Sequence, residues 1–523
     1  MSDRDEPPKE RPELTELRAR LHATTDAARP EAVARRRKTG QRTARENVAD
    51  LVDPGSFVEY GALALAAQRQ RHSVEELVKN SPADGIITGI GTVNATQFGE
   101  ERGRTMVLAY DYTVFAGTQG GMGHKKLDRM LALATQWRLP IVLFAEGGGG
   151  RPNDTDMPLV AGLDTPSFFA FAALSGVVPR VGIVSGRCFA GNAALLGCCD
   201  VVIATEDSNI GMGGPAMVEG GGLGACTPEE IGPIGMQSKN GVVDVRVADE
   251  AAAVAVAKKY LSYFQGSLET WECDDQTKLR DVLPERRRRA YKMLPIVELL
   301  ADRGSVLELR KEFGVGMITA LIRIEGRPFG VLANNPFHLG GAIDADAADK
   351  AARFMQLCDA FELPILSLCD TPGFMVGPKA ETTALVRHTS RMFVVAGSLR
   401  VPFFTVVLRK GYGLGAQAMA GGHFHAPFFN VSWPTGEFGA MGLEGAVKLA
   451  LKKQLAAIES PEAREEMIQM AVAYAFERGK AISMASYLEI DGVIDPADTR
   501  TWILRGLKSV PPLGPRRPFI DTW

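Results

Sequence analysis

Cysteine is scarce in this chain: there are 7 in 523 residues, an odd number without a C-x-x-C pair. That excludes a zinc ribbon and a disulfide framework, and it fits reduced thiols in a cytoplasmic protein. Long apolar runs are also missing. The best candidate, Phe168 to Val178, is far short of the roughly 20 residues that span a bilayer. The first residues, MSDRDEPPKERPELTELRARLH, mix acids and bases, unlike a secretory signal or an organellar transit peptide. Charge of one sign is lacking too. Lys+Arg 59 against Asp+Glu 62 gives a net charge of −3, so no overall positive field is available to hold nucleic acid. Tyr (9) and Trp (5) are few, whereas Gly reaches 56. Glycine at that level, without a fixed period, marks many places where backbone turns with positive φ or approaches something closely.

With 46% hydrophobic and 23% charged residues, the composition is that of a globular protein with a sizeable core, and the length suits two large domains. The basic run Arg35-Arg36-Arg37-Lys38, near Glu31 and Glu46, reads as a solvated helix face. Arg286 to Arg289, between Pro284 and Pro295, reads the same way within an interdomain linker.

The chain repeats one plan. Val107-Leu108-Ala109 is followed by Lys126, by Pro140 fourteen residues later, by an apolar strand from Ile141, and by Glu146 six residues after the proline. Val331-Leu332-Ala333 is followed by Lys350, Pro364, a strand from Ile365, and Asp370 at the same two intervals. The next prolines, Pro179 and Pro402, come 39 and 38 residues later, and each opens another apolar strand. Continuous apolar strands alternating with helical patterns predict βαβ units, so two homologous α/β domains are expected. Their boundaries are predicted at 41–277 and 301–523, with a charged extension at 1–40 and a linker at 278–300.

Each strand runs into a glycine turn: Gly147-Gly148-Gly149-Gly150-Arg151 and Thr371-Pro372-Gly373-Phe374 first, then Gly186 to Gly191 and Gly411-Tyr412-Gly413-Leu414-Gly415. A turn that presents several N–H groups at a helix N-terminus is suited to stabilising an oxyanion, and glycine lets a thioester carbonyl or a planar ring come close. Gly211-x-Gly213-Gly214 and Gly413-x-Gly415 do not complete a dinucleotide fingerprint. Side-chain chemistry is thin. Glu146 and Asp370 stand at equivalent strand ends, where they serve either as acid or base or as caps of the following turn. His423-x-His425 lacks nearby carboxylates and reads as structural, so no metal site is expected.

The stretch Asn335 to Phe374, NPFHLGGAIDADAADKAARFMQLCDAFELPILSLCDTPGF, closely resembles the carboxyltransferase β subunits of biotin-dependent acyl-CoA carboxylases. So do Asp84 to Asn94, Asp111 to Gly117, Thr43-Ala44-Arg45-Glu46 with Asp53 to Phe57, and the ending Pro518 to Trp523. The segments Gly186 to Gly191 and Cys199 to Ala204 resemble the wider crotonase pattern. The resemblance implies two crotonase-like domains (ClpP/crotonase ββα superhelix), a homo-oligomer of hexamer type, and biotin presented as carboxybiotin on a separate carrier protein charged by a biotin carboxylase. It implies an acyl-CoA substrate held by Gly117, Gly150, Arg151, Ala190, Gly191 and Gly213. It implies main-chain donors at Gly148 and Gly149 for the thioester oxygen, and at Leu414 and Gly415 for the ureido oxygen of biotin. Biotin would lie against Thr371, Pro372, Gly373, Phe374, Tyr412, Gly413 and Gln417. The released biotin anion would take the α-proton, which accounts for the thin side-chain chemistry. A separate carrier also follows from the absence of Met-Lys-Met; Tyr291-Lys292-Met293 is the nearest approach.

Propionyl- and acetyl-type members read Y-G-G-A-Y-D where this chain has Tyr412-Gly413-Leu414-Gly415-Ala416-Gln417, so Leu414 replaces a glycine and Gln417 an aspartate near the acyl pocket. The alternatives are a decarboxylase or transcarboxylase component using the same sites in reverse, a biotin-independent hydratase or isomerase relying on Glu146, and a non-catalytic scaffold subunit.

Overall fold

The computed structural model describes residues 10–151, 153–156, 164–514 and 519–523; the first nine residues of the extension and Pro518 of the ending lie outside these. The chain divides between Gln265 and Gly266 into two compact units.

The first unit is built on a seven-stranded sheet in the order β1 (Val58–Tyr60), β2 (Ile86–Thr92), β3 (Arg104–Tyr110), β4 (Ile141–Phe144), β5 (Arg180–Val184), β6 (Val201–Thr205) and β7 (Val245–Val247). The first three strands run antiparallel and the pairs from β3 onward are parallel. The second unit repeats this in β8 (Leu307–Leu309), β9 (Met317–Ile324), β10 (Arg327–Asn334), β11 (Ile365–Thr371), β12 (Phe403–Tyr412), β13 (Phe429–Ser432) and β14 (Gly492–Val493). The same steps are antiparallel and the same steps parallel. Even register is kept: Leu108 pairs with Leu143, and Leu332 with Ser367.

The crossover helices also end alike. α1 (Gly121–Trp137) stops at Arg138 (φ 52°), and α3 (Ala345–Ala360) is followed at Glu362 (φ 58°) by the same left-handed backbone; Leu-Pro comes next in both. A proline cannot continue a helix, so it fixes where the following buried strand begins. β4 and β5 are buried along their whole length, as expected of parallel strands covered on both faces. Leu108, Leu127, Leu131, Leu143 and Phe171 centre the first core, and Phe329, Leu366, Phe404, Val431 and Trp433 the second.

One expectation changes here. Residues 278–300 are not a solvated linker, because Leu279, Tyr291, Met293, Ile296, Val297 and Leu300 belong to the second core. Apolar side chains at helical spacing, 293, 296, 297 and 300, drive that stretch inward. The N-terminal extension docks on the first unit along its second half: Arg29 donates to Asp111 and Thr113 at 2.9 and 2.7 Å. The Thr43–Glu46 motif proves to be a reciprocal capping box that opens helix Ala44–Leu51.

Candidate functional site

In the first unit, β4 leads through Ala145 and Glu146 into Gly147, whose φ of +111° reverses the chain. Gly147 is pinned on both sides: its N–H donates to Arg187 O (2.7 Å) and its carbonyl accepts from Phe189 N (2.9 Å). The carbonyl of Gly149 accepts from Gln119 N, and Arg151 N donates back to Gln119 O. The N–H groups of Gly148, Gly149 and Gly150 donate to no acceptor among the described residues. They lie in an extended loop, not at a helix N-terminus as the sequence suggested. A helix does begin opposite them: α2 (Gly191–Gly197) follows Ala190, which has φ 52°, and an added Cβ on Gly149 would sit 2.9 Å from the Ala190 methyl group.

The turn is braced from behind. Gly117 (φ +66°) packs so closely that a Cβ would overlap the Glu146 carbonyl oxygen. The buried Asn192 amide, unremarked in the sequence, donates to the carbonyls of Gly117 (3.0 Å) and Glu146 (2.8 Å). Gly213 stands just beyond Gly211, whose carbonyl accepts from Ala190 N. Gly117, Gly148 to Gly150, Ala190, Gly191 and Gly213 thus converge. The Arg151 guanidinium does not join them as an anion binder: 4% exposed, it pairs with Asp84 at 2.5 Å and Asp154 at 3.4 Å and stacks on the Phe115 ring.

The Glu146 side chain is buried, with its carboxylate beside Gly186. Arg36 grips both of its carboxylate oxygens at 2.6 Å. Burial pushes the Glu146 carboxyl up to about 7, against the pull of Arg36. The basic run is therefore only partly a solvated face: Arg35, Arg37 and Lys38 are exposed, while Arg36 is buried.

The second unit mirrors this. Gly341 (φ +93°) takes the place of Gly117, and its Cβ would overlap the Asp370 carbonyl oxygen. The fully buried Asp370 carboxylate accepts from Tyr291 OH (2.7 Å), Arg409 Nε (3.1 Å) and Lys410 N (3.1 Å). Arg409 also lies over the Tyr291 ring and donates to Arg289 O, while Arg287 pairs with Glu437 at 3.2 Å. The 286–289 run is thus partly drawn into the fold. Neither Glu146 nor Asp370 is placed as a free acid or base, since each carboxylate is matched to an arginine.

Beyond Asp370, Thr371 Oγ1 accepts from Gly373 N at 3.1 Å, and Phe374 meets Phe393 of α4 (Leu385–Ala396) edge-on. β12 then delivers α5 (Gly413–Met419), with Tyr412 as its N-cap. The N–H groups of Gly413, Leu414, Gly415 and Phe374 have no acceptor among the described residues. Gly413 has φ +58° and a Cβ there would be 2.9 Å from Ala440 O; at Gly415 it would be 2.6 Å from the Gly373 carbonyl carbon. Leu414 between them is 61% exposed. A cavity of about 640 Å³ beside the turn is lined by Gly411, Gly413, Gln417, Phe438, Gly439 and Leu443. Thr371, Pro372, Gly373 and Phe374 form one side of this turn, with Gly415 packed on Gly373, and Gly413 and Gln417 line the cavity beside it. The Tyr412 side chain instead turns inward and donates to Glu437 at 2.9 Å. His423 Nδ1 accepts from His425 N at 3.1 Å, a local turn contact.

The carboxyl transferase domain model matches residues 35–509. The beta4 subunit of a biotin-dependent long chain acyl-coenzyme A carboxylase of Mycobacterium tuberculosis is 31% identical over 94% of this chain and 93% of its own length. Among solved structures, a single-chain, multi-domain long-chain acyl-CoA carboxylase superposes with TM-score 0.90 and 57% identity over 95% of this chain; the chain spans only 49% of that protein. The transcarboxylase 12S hexamer superposes with TM-score 0.82 and 29% identity, covering 99% of this chain and 100% of the other. These neighbours carry the crotonase-like carboxyltransferase fold that the duplicated sheets display. With two such domains, and a donor turn in each, the chain belongs to the carboxyl transferase domain family, the carboxyltransferases of biotin-dependent acyl-CoA carboxylases.

Proposed function

We propose that the first unit holds the acyl-CoA thioester and the second the carboxybiotin, and that the acyl chain carboxylated is a long one. The observation that carries the division is the pair of unpartnered main-chain donor sets, Gly148–Gly149 and Leu414–Gly415, each propped by a positive-φ glycine against a strand-end carbonyl. As the α-proton leaves, charge gathers on the thioester oxygen. Donors already in place stabilise it without reorganising, each contributing about a hundredfold or more in rate. Around the second turn the groups offered are neutral N–H donors set between glycines 373, 413 and 415, which suits a neutral, flat ureido ring. Carboxybiotin, when bound, supplies both the carboxyl group and the base. Gly148 and Gly149 orient the thioester; Leu414, Gly415 and Phe374 offer N–H groups to the ureido oxygen; Arg36 and Arg409 keep the two strand-end carboxylates out of the proton transfer.

The long-chain reading rests on the 57% identity to the long-chain acyl-CoA carboxylase, supported by the exposed apolar side chains Met212, Met217 and Leu223, with Met217 packed beside Gly213. A biotin carboxylase and a biotin carrier would come from a partner subunit, and the assembly would be a hexamer like transcarboxylase 12S. Incubating the protein with a carboxylated carrier and acyl-CoAs from two to twenty carbons tests this: transfer should rise with chain length. No transfer to any of them, with a competent carrier present, refutes the assignment. The hydratase reading required Glu146 as a free acid, which the Arg36 pair opposes.

A further inference from the structure

Beneath the end of α5 the second sheet carries three polar side chains in a row. Ser367, Thr405 and Asn430 are paired in register across β11, β12 and β13, so they share a face, and all three are fully buried. Ser367 Oγ donates to the carbonyl oxygen of Met419, the last residue of α5, at 2.6 Å, and Thr405 Oγ1 reaches the same oxygen at 3.5 Å. Neither polar atom of the Asn430 amide has a partner among the described residues. The corresponding positions of the first unit, by the proline register, are Leu143, Gly182 and Val202, also paired in a row. There the space is filled by Leu196 of α2, which packs so tightly that a Cβ on Gly182 would lie 2.5 Å from its Cδ1.

The same place under the helix that follows the last glycine turn is thus apolar in one half and polar in the other. A terminal helix carbonyl has no partner within its own helix, and burying it unpaired is costly. In the second half the sheet supplies that partner. α5 is only seven residues long and carries Leu414 and Gly415 at its other end, so a hold on its last carbonyl also fixes where its first N–H groups point. We infer that Ser367, seconded by Thr405, is a positioning residue that sets the donors of the carboxybiotin side through the Met419 carbonyl. This rests on the assignment of Leu414 and Gly415 to that side.

The test uses the full chain, an α-carboxyacyl-CoA and free biotin, following biotin-dependent decarboxylation. Ser367→Ala should lower kcat/KM for biotin about tenfold, because small misplacements of catalytic groups are expensive, with the KM for the CoA substrate unchanged. Ser367→Thr, which keeps the hydroxyl, should recover to within about threefold of wild type. Hydrogen exchange in 413–422 should quicken in the alanine variant while that of β8 to β10 does not. If Ser367→Ala fails to fold, Ser367→Cys, with a weak hydrogen-bonding thiol, is read the same way. Equal losses toward both substrates, no rescue by threonine, or unchanged exchange at 413–422 would overturn the inference. A wild-type protein inert toward biotin would overturn the underlying assignment, and the exchange data would still judge the anchor.

Discussion

The contact most open to measurement is Arg36 with Glu146. Both side chains are buried, and the guanidinium meets both carboxylate oxygens at 2.6 Å. Replacing Arg36 with Met keeps the aliphatic stem but leaves a carboxylate alone in the interior, a change that typically costs about 3–5 kcal/mol. The cost depends on pH in a definite direction. Burial raises the Glu146 carboxyl from its ordinary value of 4.5 to about 7 in the folded protein. A raised acid contributes stability that is complete below the unfolded value and is lost as pH rises through the folded one. Removing Arg36 takes away the group that opposes this rise, so the carboxyl moves higher still. The difference between Arg36→Met and wild type should therefore be small near pH 5 and should grow through pH 7 to 8. Because the chain has two units, one melting curve would blend them; hydrogen exchange read by mass spectrometry on β3 and β4 reports the first, with β10 and β11 as internal control. At pH 8, amides of β3 and β4 should exchange at least about a hundredfold faster, since about 1.4 kcal/mol is tenfold. Adding Glu146→Leu should restore most of the protection. Equal protection in Arg36→Met and wild type at both pH values would refute the reasoning, showing that the N-terminal segment does not seat its arginine.

Gly117→Ala should abolish carboxyl transfer, because a methyl group would overlap the Glu146 carbonyl at φ +66°. Gly235→Ala, with nothing within 4 Å and no positive φ, should stay within about twofold of wild type by the same activity assay. Tyr412→Phe should lower the denaturation midpoint of the second unit by about 1–2 kcal/mol worth of buried hydrogen bond while leaving transfer within about threefold; a collapse of transfer would mean that the hydroxyl faces substrate. Burial lowers Lys126 from 10.5 to about 8, and its ammonium donates to Ala83 O at 2.9 Å. A depressed base binds fewer protons folded than unfolded, so wild type should gain stability relative to Lys126→Met as pH rises from about 8 to 10.5. A flat difference across that range in urea titrations would contradict it.

What the sequence made legible was whatever is written locally. Equal spacing of Lys, Pro and the strand-end acid records a strand and helix of fixed length, so the duplication and its βαβ units are legible in the sequence, whereas the order of strands in each sheet is not. Glycine turns are equally local, because a positive φ favours glycine, and at Gly117 and Gly341 a carbonyl oxygen leaves no room for a Cβ. The buried struts were hidden because they join distant segments: Arg36 and Glu146 are 110 residues apart, and Tyr291 and Asp370 are 79 apart. The basic run looks solvated because three of its four members are. The missed signal is Ala32, four residues before Arg36 and buried with it, which places both on one helix face. Likewise Pro284 and the arginines of 286–289 disguised the helical apolar spacing that follows from Met293 to Leu300.

Leu414 shows how far main-chain chemistry frees the sequence. Of the three residues that open α5, Gly413 would drive a side chain toward Ala440 O and Gly415 would drive one into Gly373. Leu414 is the position whose side chain points outward, and 61% of it is exposed. A backbone N–H survives any side-chain change except proline, so exchanging the family's glycine for leucine alters what lies beside the donor and not the donor itself. The same logic assigns the buried carboxylates. Glu146 and Asp370 each stand at a strand end, each is paired with an arginine from another segment, and each packs its carbonyl oxygen against a glycine of the opposing loop. On the proposed reading, their service is to hold two turns still, so that main-chain N–H groups meet the substrates without reorganising.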